Sequence, residues 1–236
     1  MKKKKLALLA GAMLTLATNA LAADLNITEQ GSTINYVQML LSTDSGVNFS
    51  SSVSEGGGSI AATLDSKPLN YLYCSDIETV VYVPRDYTNT STNNNGTIHT
   101  NGSALTVYNA DKVAYLVDKY GVNGVGDLTK QAALQAAIWT EIYSTGTKQY
   151  KLDQTHYGSG STIVSLYNSY LANANTANTS GYASRATWIS PAVLNDGTVY
   201  QGLVTSNVPE PSTIVLLGTG LFGLAVFGKR RLIKTA

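Results

Sequence analysis

The sequence predicts an α+β fold: a single exported domain, sheet-rich in its N-terminal half, with two or three helices behind it and a C-terminal membrane helix. Three observations predict it. Strand-forming residues dominate up to about residue 83, and apolar recurrence at three- and four-residue steps takes over after residue 109. Both chain ends have the composition of export segments, not of a core. The ~185 residues between them are enough for one domain with a buried interior.

The elements follow in order. Lys2 to Lys5 form a positive segment, residues 6–16 an apolar one, and Ala20-Leu21-Ala22 a small-x-small cleavage site, so residues 1–22 are a signal peptide and the mature chain starts at Ala23. Residues 26–41 and 59–64 are expected as strands separated by a Ser/Gly-rich loop at 50–58. In the run 70–77, a period of two puts Leu72 and Cys74 on one face and Tyr71 and Tyr73 on the other. Residues 79–83 make a further strand, ended by Pro84. Residues 86–102, rich in Asn, Thr, Ser and Gly, predict a long exposed loop.

Asn109-Ala110-Asp111 caps a helix through Tyr120, broken by glycines at 121–126. A second helix, capped by Asp127 or Thr129, runs over 130–143. On it Gln131, Gln135 and Trp139 recur at i, i+4 and i+8, so two glutamines share a close-packed stripe with a tryptophan. A third helix is expected over 162–172, and closing strands over 186–189 and 198–204 around Asn195-Asp196-Gly197. Residues 206–211 form a linker.

Val208-Pro209-Glu210-Pro211 leads into an apolar run that stops at Lys229-Arg230-Arg231. Residues 212–228 span about 25 Å as a helix, a short membrane crossing, and the basic residues at 229–236 hold the end on the cytoplasmic side. Pro209, Glu210 and Pro211, the short hydrophobic segment and the basic cluster together resemble the PEP-CTERM sorting signal of bacterial exported proteins. That resemblance implies a membrane stage and then cutting near the triplet by an exosortase-type membrane protease. It also implies a final place at the cell surface or in the extracellular matrix, in association with exopolysaccharide or biofilm.

Without its ends the chain is acidic: 8 basic and 14 acidic residues lie between Asp24 and Val208, a net charge of −6. No basic patch is interleaved with aromatics, which removes nucleic acid as a partner. The single Cys74 can form no internal disulfide. Read from the residues alone, it is a small buried hydrophobe.

Tyr73-Cys74-Ser75-Asp76, followed some sixty residues later by Leu134-Gln135-Ala136-Ala137-Ile138-Trp139, is similar to the paired motifs of bacterial thioester domains. In these surface adhesion modules a Cys and a Gln side chain are covalently joined. The similarity extends over about 69–143, within an ectodomain of residues 23–205. It departs from the family at Leu134, where Thr is usual, and at Ser75, where an apolar residue is usual. It implies a Cys74–Gln135 crosslink, with Trp139, Tyr73 and Asp76 in support, that an amine on a surface or matrix target opens to leave an amide.

An unreactive version of the same domain, acting as a noncovalent structural or carbohydrate-binding protein of the exopolysaccharide, is the alternative. The 15 tyrosines would supply sugar-stacking faces, though tyrosine is also the default residue of half-exposed sheets. Enzymatic readings have less behind them. A cysteine hydrolase would need His99 or His156 beside Cys74, and no motif puts either there. Two isolated histidines and scattered carboxylates offer no metal-ligand spacing, and no cofactor is implied. The glycine run 121–126 ends a helix and is not a nucleotide cradle, since no strand precedes it. The expectation is therefore a surface protein and not an enzyme.

Overall fold

A computed structural model describes residues 21–29, 33–100, 103–193 and 197–207. The signal segment up to residue 20, the linker from Val208 with Pro209, Glu210 and Pro211, the expected membrane helix and Lys229, Arg230 and Arg231 lie outside the described residues. Among the described residues no helix is long and apolar enough to cross a membrane.

The described chain is sheet-rich with helices in its second half, as expected of an α+β fold. The strands are β1 (Leu21–Ile27), β2 (Thr33–Ser42), β3 (Ser51–Ser59), β4 (Ala62–Leu64), β5 (Lys67–Leu69), β6 (Tyr73–Cys74), β7 (Arg85–Asn93), β8 (Thr97–Thr100), β9 (Ser103–Thr106), β10 (Gln149–Leu152), β11 (Ala186–Ser190) and β12 (Leu203–Ser206). The helices are α1 (Ala110–Gly124), α2 (Leu128–Ile142), the single turn α3 (Gln154–Tyr157) and α4 (Thr162–Thr176). A seven-stranded sheet has the order β5-β4-β1-β7-β11-β12-β6, a three-stranded sheet the order β10-β2-β3, and β8-β9 form a hairpin. Helix α2 packs against α1, α4 and the three-stranded sheet, while α1 lies against β11 and β12.

Several expected boundaries are corrected. The run 26–41 is two strands in different sheets, because the chain leaves the seven-stranded sheet after Ile27 and joins the three-stranded one at Thr33. The Ser/Gly run 50–58 is not a loop: β3 pairs with β2 in unbroken antiparallel register from Leu41↔Ser51 to Thr33↔Ser59. The polar run 86–102 contains β7, at the centre of the seven-stranded sheet, and β8. Its inward positions are only Tyr87 and Thr90, so its composition is that of a strand with one wet face. Between them the pairing with β1 slips by one residue at Asn89, whose φ of 55° is a left-handed value that Asn tolerates better than most residues.

Residues 79–83 make no strand beyond a bridge from Val80 to Tyr200. The Asp76 carboxylate accepts from Glu78 N at 2.8 Å and Thr79 Oγ1 at 2.5 Å, which turns the backbone at that point. Helix α1 continues through Gly121 to Gly124 because these glycines serve close approach. A β-carbon at Gly121 would overlap the Tyr71 ring, and one at Gly124 would lie 2.7 Å from Tyr73 Oη. Helix α2 starts at Leu128 with Asp127 as its cap, and α4 runs four residues past the expected end. The last strand begins at Leu203, and of the expected turn before it residues 195 and 196 fall outside the described part.

Candidate functional site

Cys74 ends the two-residue strand β6, opposite Leu203 of β12, and its residue is 1% exposed. Tyr71 and Tyr73 face helix α1, where Tyr73 donates to Gly121 O at 3.1 Å. The Cys74 backbone meets helix α2. Cys74 N donates to Gln135 Oε1 at 3.1 Å, and Gln135 Nε2 donates to Cys74 O at 2.7 Å. A third bond, from Gly58 N at 3.4 Å, also ends on Gln135 Oε1. Two backbone N–H groups therefore point at the carboxamide oxygen, and a carbonyl holds its nitrogen.

The glutamine stripe of α2 lies on the glycine-rich part of β3. Asp127 fixes the start of the helix by accepting from Thr129 N and Lys130 N, each at 3.1 Å. One turn on, Gln131 Oε1 accepts from Ser59 N at 3.2 Å and its Nε2 donates to Gly124 O at 2.8 Å. Gln135 follows at Gly58 and Trp139 at Gly57. A β-carbon at Gly57 would overlap Gln135 Cγ and sit 3.0 Å from Trp139 Cη2, so only glycine lets β3 approach this closely. Trp139 is fully buried, and its indole N–H has no partner among the described residues.

Asp76 is fully buried and organises the loop beyond Cys74. Besides Glu78 N and Thr79 Oγ1 it accepts from Tyr143 Oη at 2.6 Å, and its own carbonyl accepts from Gln201 Nε2. Burial pushes the Cys74 thiol up to about 12, and the Asp76 charge adds to the shift. At neutral pH the group is a thiol.

A cleft of about 290 Å³ opens over Cys74 between the edge strand β3 and the loop after Asp76; Tyr36, Glu55, Gly57, Ile60 and Val80 line it with the cysteine. Tyr36 is 71% and Val80 58% exposed, an apolar rim open to solvent. His99 lies on β8 and His156 in α3, and neither lines this cleft.

Five of the expected site residues, Tyr73, Cys74, Asp76, Gln135 and Trp139, thus cluster at one place, with Cys74 and Gln135 in direct contact. The sequence reading missed Gly57, Gly58 and Glu55, which supply the close approach, an N–H donor and a carboxylate. The signal for them was the Gly56-Gly57-Gly58 run directly after a residue of opposite character, hidden by its resemblance to a loop.

At the other end of the chain, residues 207–231 match the model of the PEP-CTERM protein-sorting motif. The chain carries a PEP-CTERM sorting tail. It is an exported protein, held at the membrane before processing, and the tail implies processing by an exosortase, a membrane protease. No curated protein and no solved structure matches the chain. The PEP-CTERM match does not reach Cys74 or Gln135, so the chemistry of the exported domain rests on its own geometry.

Proposed function

We propose that the exported domain attaches covalently to amine-bearing targets at the cell surface or in the matrix through a thioester between Cys74 and Gln135. The observation that carries this reading is the pair of hydrogen bonds joining the Gln135 carboxamide to the Cys74 backbone. Thioester formation makes a bond from Cys74 Sγ to Gln135 Cδ and breaks the Cδ–Nε2 bond. The thiol proton leaves with the nitrogen as ammonia. During the attack, negative charge develops on Oε1, where the N–H groups of Cys74 and Gly58 already point, the arrangement of an oxyanion hole.

Burial keeps the Cys74 thiol protonated at neutral pH, so closure is a slow maturation step that relies on the Gln135 carboxamide being held against the Cys74 backbone. An amine then attacks Cδ, displaces the sulfur and leaves the protein joined to its target by an amide.

A second reading has one observation in its favour. The same raised thiol, beside a carboxamide whose oxygen and nitrogen are both already paired, suits an inert buried tie in a noncovalent structural or carbohydrate-binding matrix protein.

Intact mass of the full chain, purified in detergent, separates the two. The thioester reading expects a wild type lighter by one ammonia than its sequence requires, a full-mass Cys74→Ala, and methylamine taken up in place of the missing ammonia. Because Cys74 is the sole cysteine, thiol titration of the unfolded chain is unambiguous. Full mass with one titratable thiol overturns the covalent reading.

A further inference from the structure

The cleft over Cys74 contains a carboxylate that thioester formation does not use. Glu55 lies on β3, the edge strand of its sheet, two residues before Gly57. Strand periodicity puts Glu55 and Gly57 on one face, about 7 Å apart along the chain. Gly57 abuts the Gln135 side chain, so Glu55 is rooted one step along the strand from the scissile carbonyl.

Among the described residues its carboxylate makes no ion pair and no side-chain hydrogen bond. The other walls of the cleft are mostly apolar, from Ile34 and Tyr36 on β2 and from Val80 and Val81 opposite, with Thr79 and Gln201 as their polar members. A partly desolvated carboxylate in such surroundings favours a cation that brings its own apolar stem.

We propose that the cleft takes a lysine-like primary alkylamine, with its methylenes against Tyr36 and Val80, and that Glu55 receives the ammonium head and removes one proton. This rests on the thioester reading of the same site. The freed amine attacks Gln135 Cδ, an N–C bond forms, and the C–S bond breaks. Sulfur leaves with a proton as the Cys74 thiol, and Glu55 returns the other to solvent, so thioester plus alkylammonium gives amide, thiol and one H⁺. Removing that proton is the chief obstacle to amine capture at neutral pH, since fewer than about one free lysine in a thousand is uncharged there.

The experiment compares capture of cadaverine, charged at neutral pH, with capture of hydroxylamine, already uncharged, by the full chain and by Glu55→Gln, with intact mass recorded first. The expected result is a Glu55→Gln protein that keeps the ammonia-lighter mass, takes up cadaverine about 10²-fold more slowly and takes up hydroxylamine at nearly the wild-type rate. Unchanged cadaverine capture, or equal slowing with both probes, overturns the role of Glu55 while leaving the thioester standing. A wild type without the ammonia-lighter mass overturns the thioester reading itself, and this inference falls with it.

Tyr36→Ala, at an exposed side chain, covers the case in which Glu55→Gln fails to close its thioester. Its half-saturating cadaverine concentration should rise several-fold with hydroxylamine unaffected. No change removes the cleft as the amine's docking channel.

Discussion

Gly57 is the residue at which this site tolerates least. A methyl group there meets Gln135 Cγ and Trp139 Cη2, both on a helix whose residues from Gln131 to Trp139 are all buried, so neither side chain has free space to retreat into. Gly57→Ala should therefore destabilise the domain by about 1–3 kcal/mol through overpacking, read as a lower urea midpoint. It should also reduce the fraction of chains with the ammonia-lighter mass, because the tightest clash is with the Gln135 side chain and disturbs its seat against Cys74. Gly160→Ala is the control: no atom lies within 4 Å of a β-carbon there, and its midpoint should stay near wild type. A Gly57→Ala protein as stable as that control would mean that β3 and α2 do not meet as described.

At the scale of elements, α2 is the part on which the site depends, and it was also the most legible. Its cap at Asp127 and its Gln131-Gln135-Trp139 stripe follow from spacing alone, and the helix does turn that stripe onto β3. Its partner strand was not legible. Ser and Gly carry low strand propensity, and β3 owes its form to the nine-residue ladder with β2 and to the need for glycine under Gln135, neither visible within a local window. Strand β7 was missed for a related reason, since only Tyr87 and Thr90 turn inward and the run reads as uniformly polar. Helix α1 was cut short because Gly121 and Gly124 look like terminators when they are contact points for Tyr71 and Tyr73. The approach of Cys74 to Gln135 came from family resemblance and not from pattern. The α2–β3 junction also yields a test. Gln131→Ala removes the acceptor of the buried Ser59 N–H, while Gly124 O keeps its bond from Asp127 N at 2.9 Å. The expected cost is about 1–3 kcal/mol in the urea midpoint; a neutral effect would show that Ser59 N finds another acceptor.

On the scale of the whole molecule, the tyrosines decide how the domain responds to alkali. Most are packed inside it, with Tyr71 and Tyr73 against α1, Tyr87 edge-on to Tyr200 at 5.0 Å, and Tyr143 beside Tyr150. They are core residues before they are sugar platforms. Burial pushes Tyr87 up to about 12 from an ordinary 10.0, raises Tyr73 and Tyr150 as well, and takes Cys74 to about 12 from 9.0. A group whose folded pKa is raised keeps a proton that the unfolded chain releases, so its stabilisation is complete below the unfolded value and is lost as pH climbs towards the folded one. The urea midpoint should thus be insensitive to these groups at neutral pH and fall progressively above about pH 9, with the tyrosinate absorbance of the buried rings appearing together with unfolding. Ionisation of Tyr73, Tyr87 or Tyr150 near 10 in a folded chain would contradict the packing. The same titration bears on the covalent bond, because a Cys74 held in a thioester has no proton to lose. Wild type and Cys74→Ala should then lose stability along parallel curves, when measured before alkali opens the bond, whereas a free thiol makes the wild type fall more steeply from about pH 9 upward.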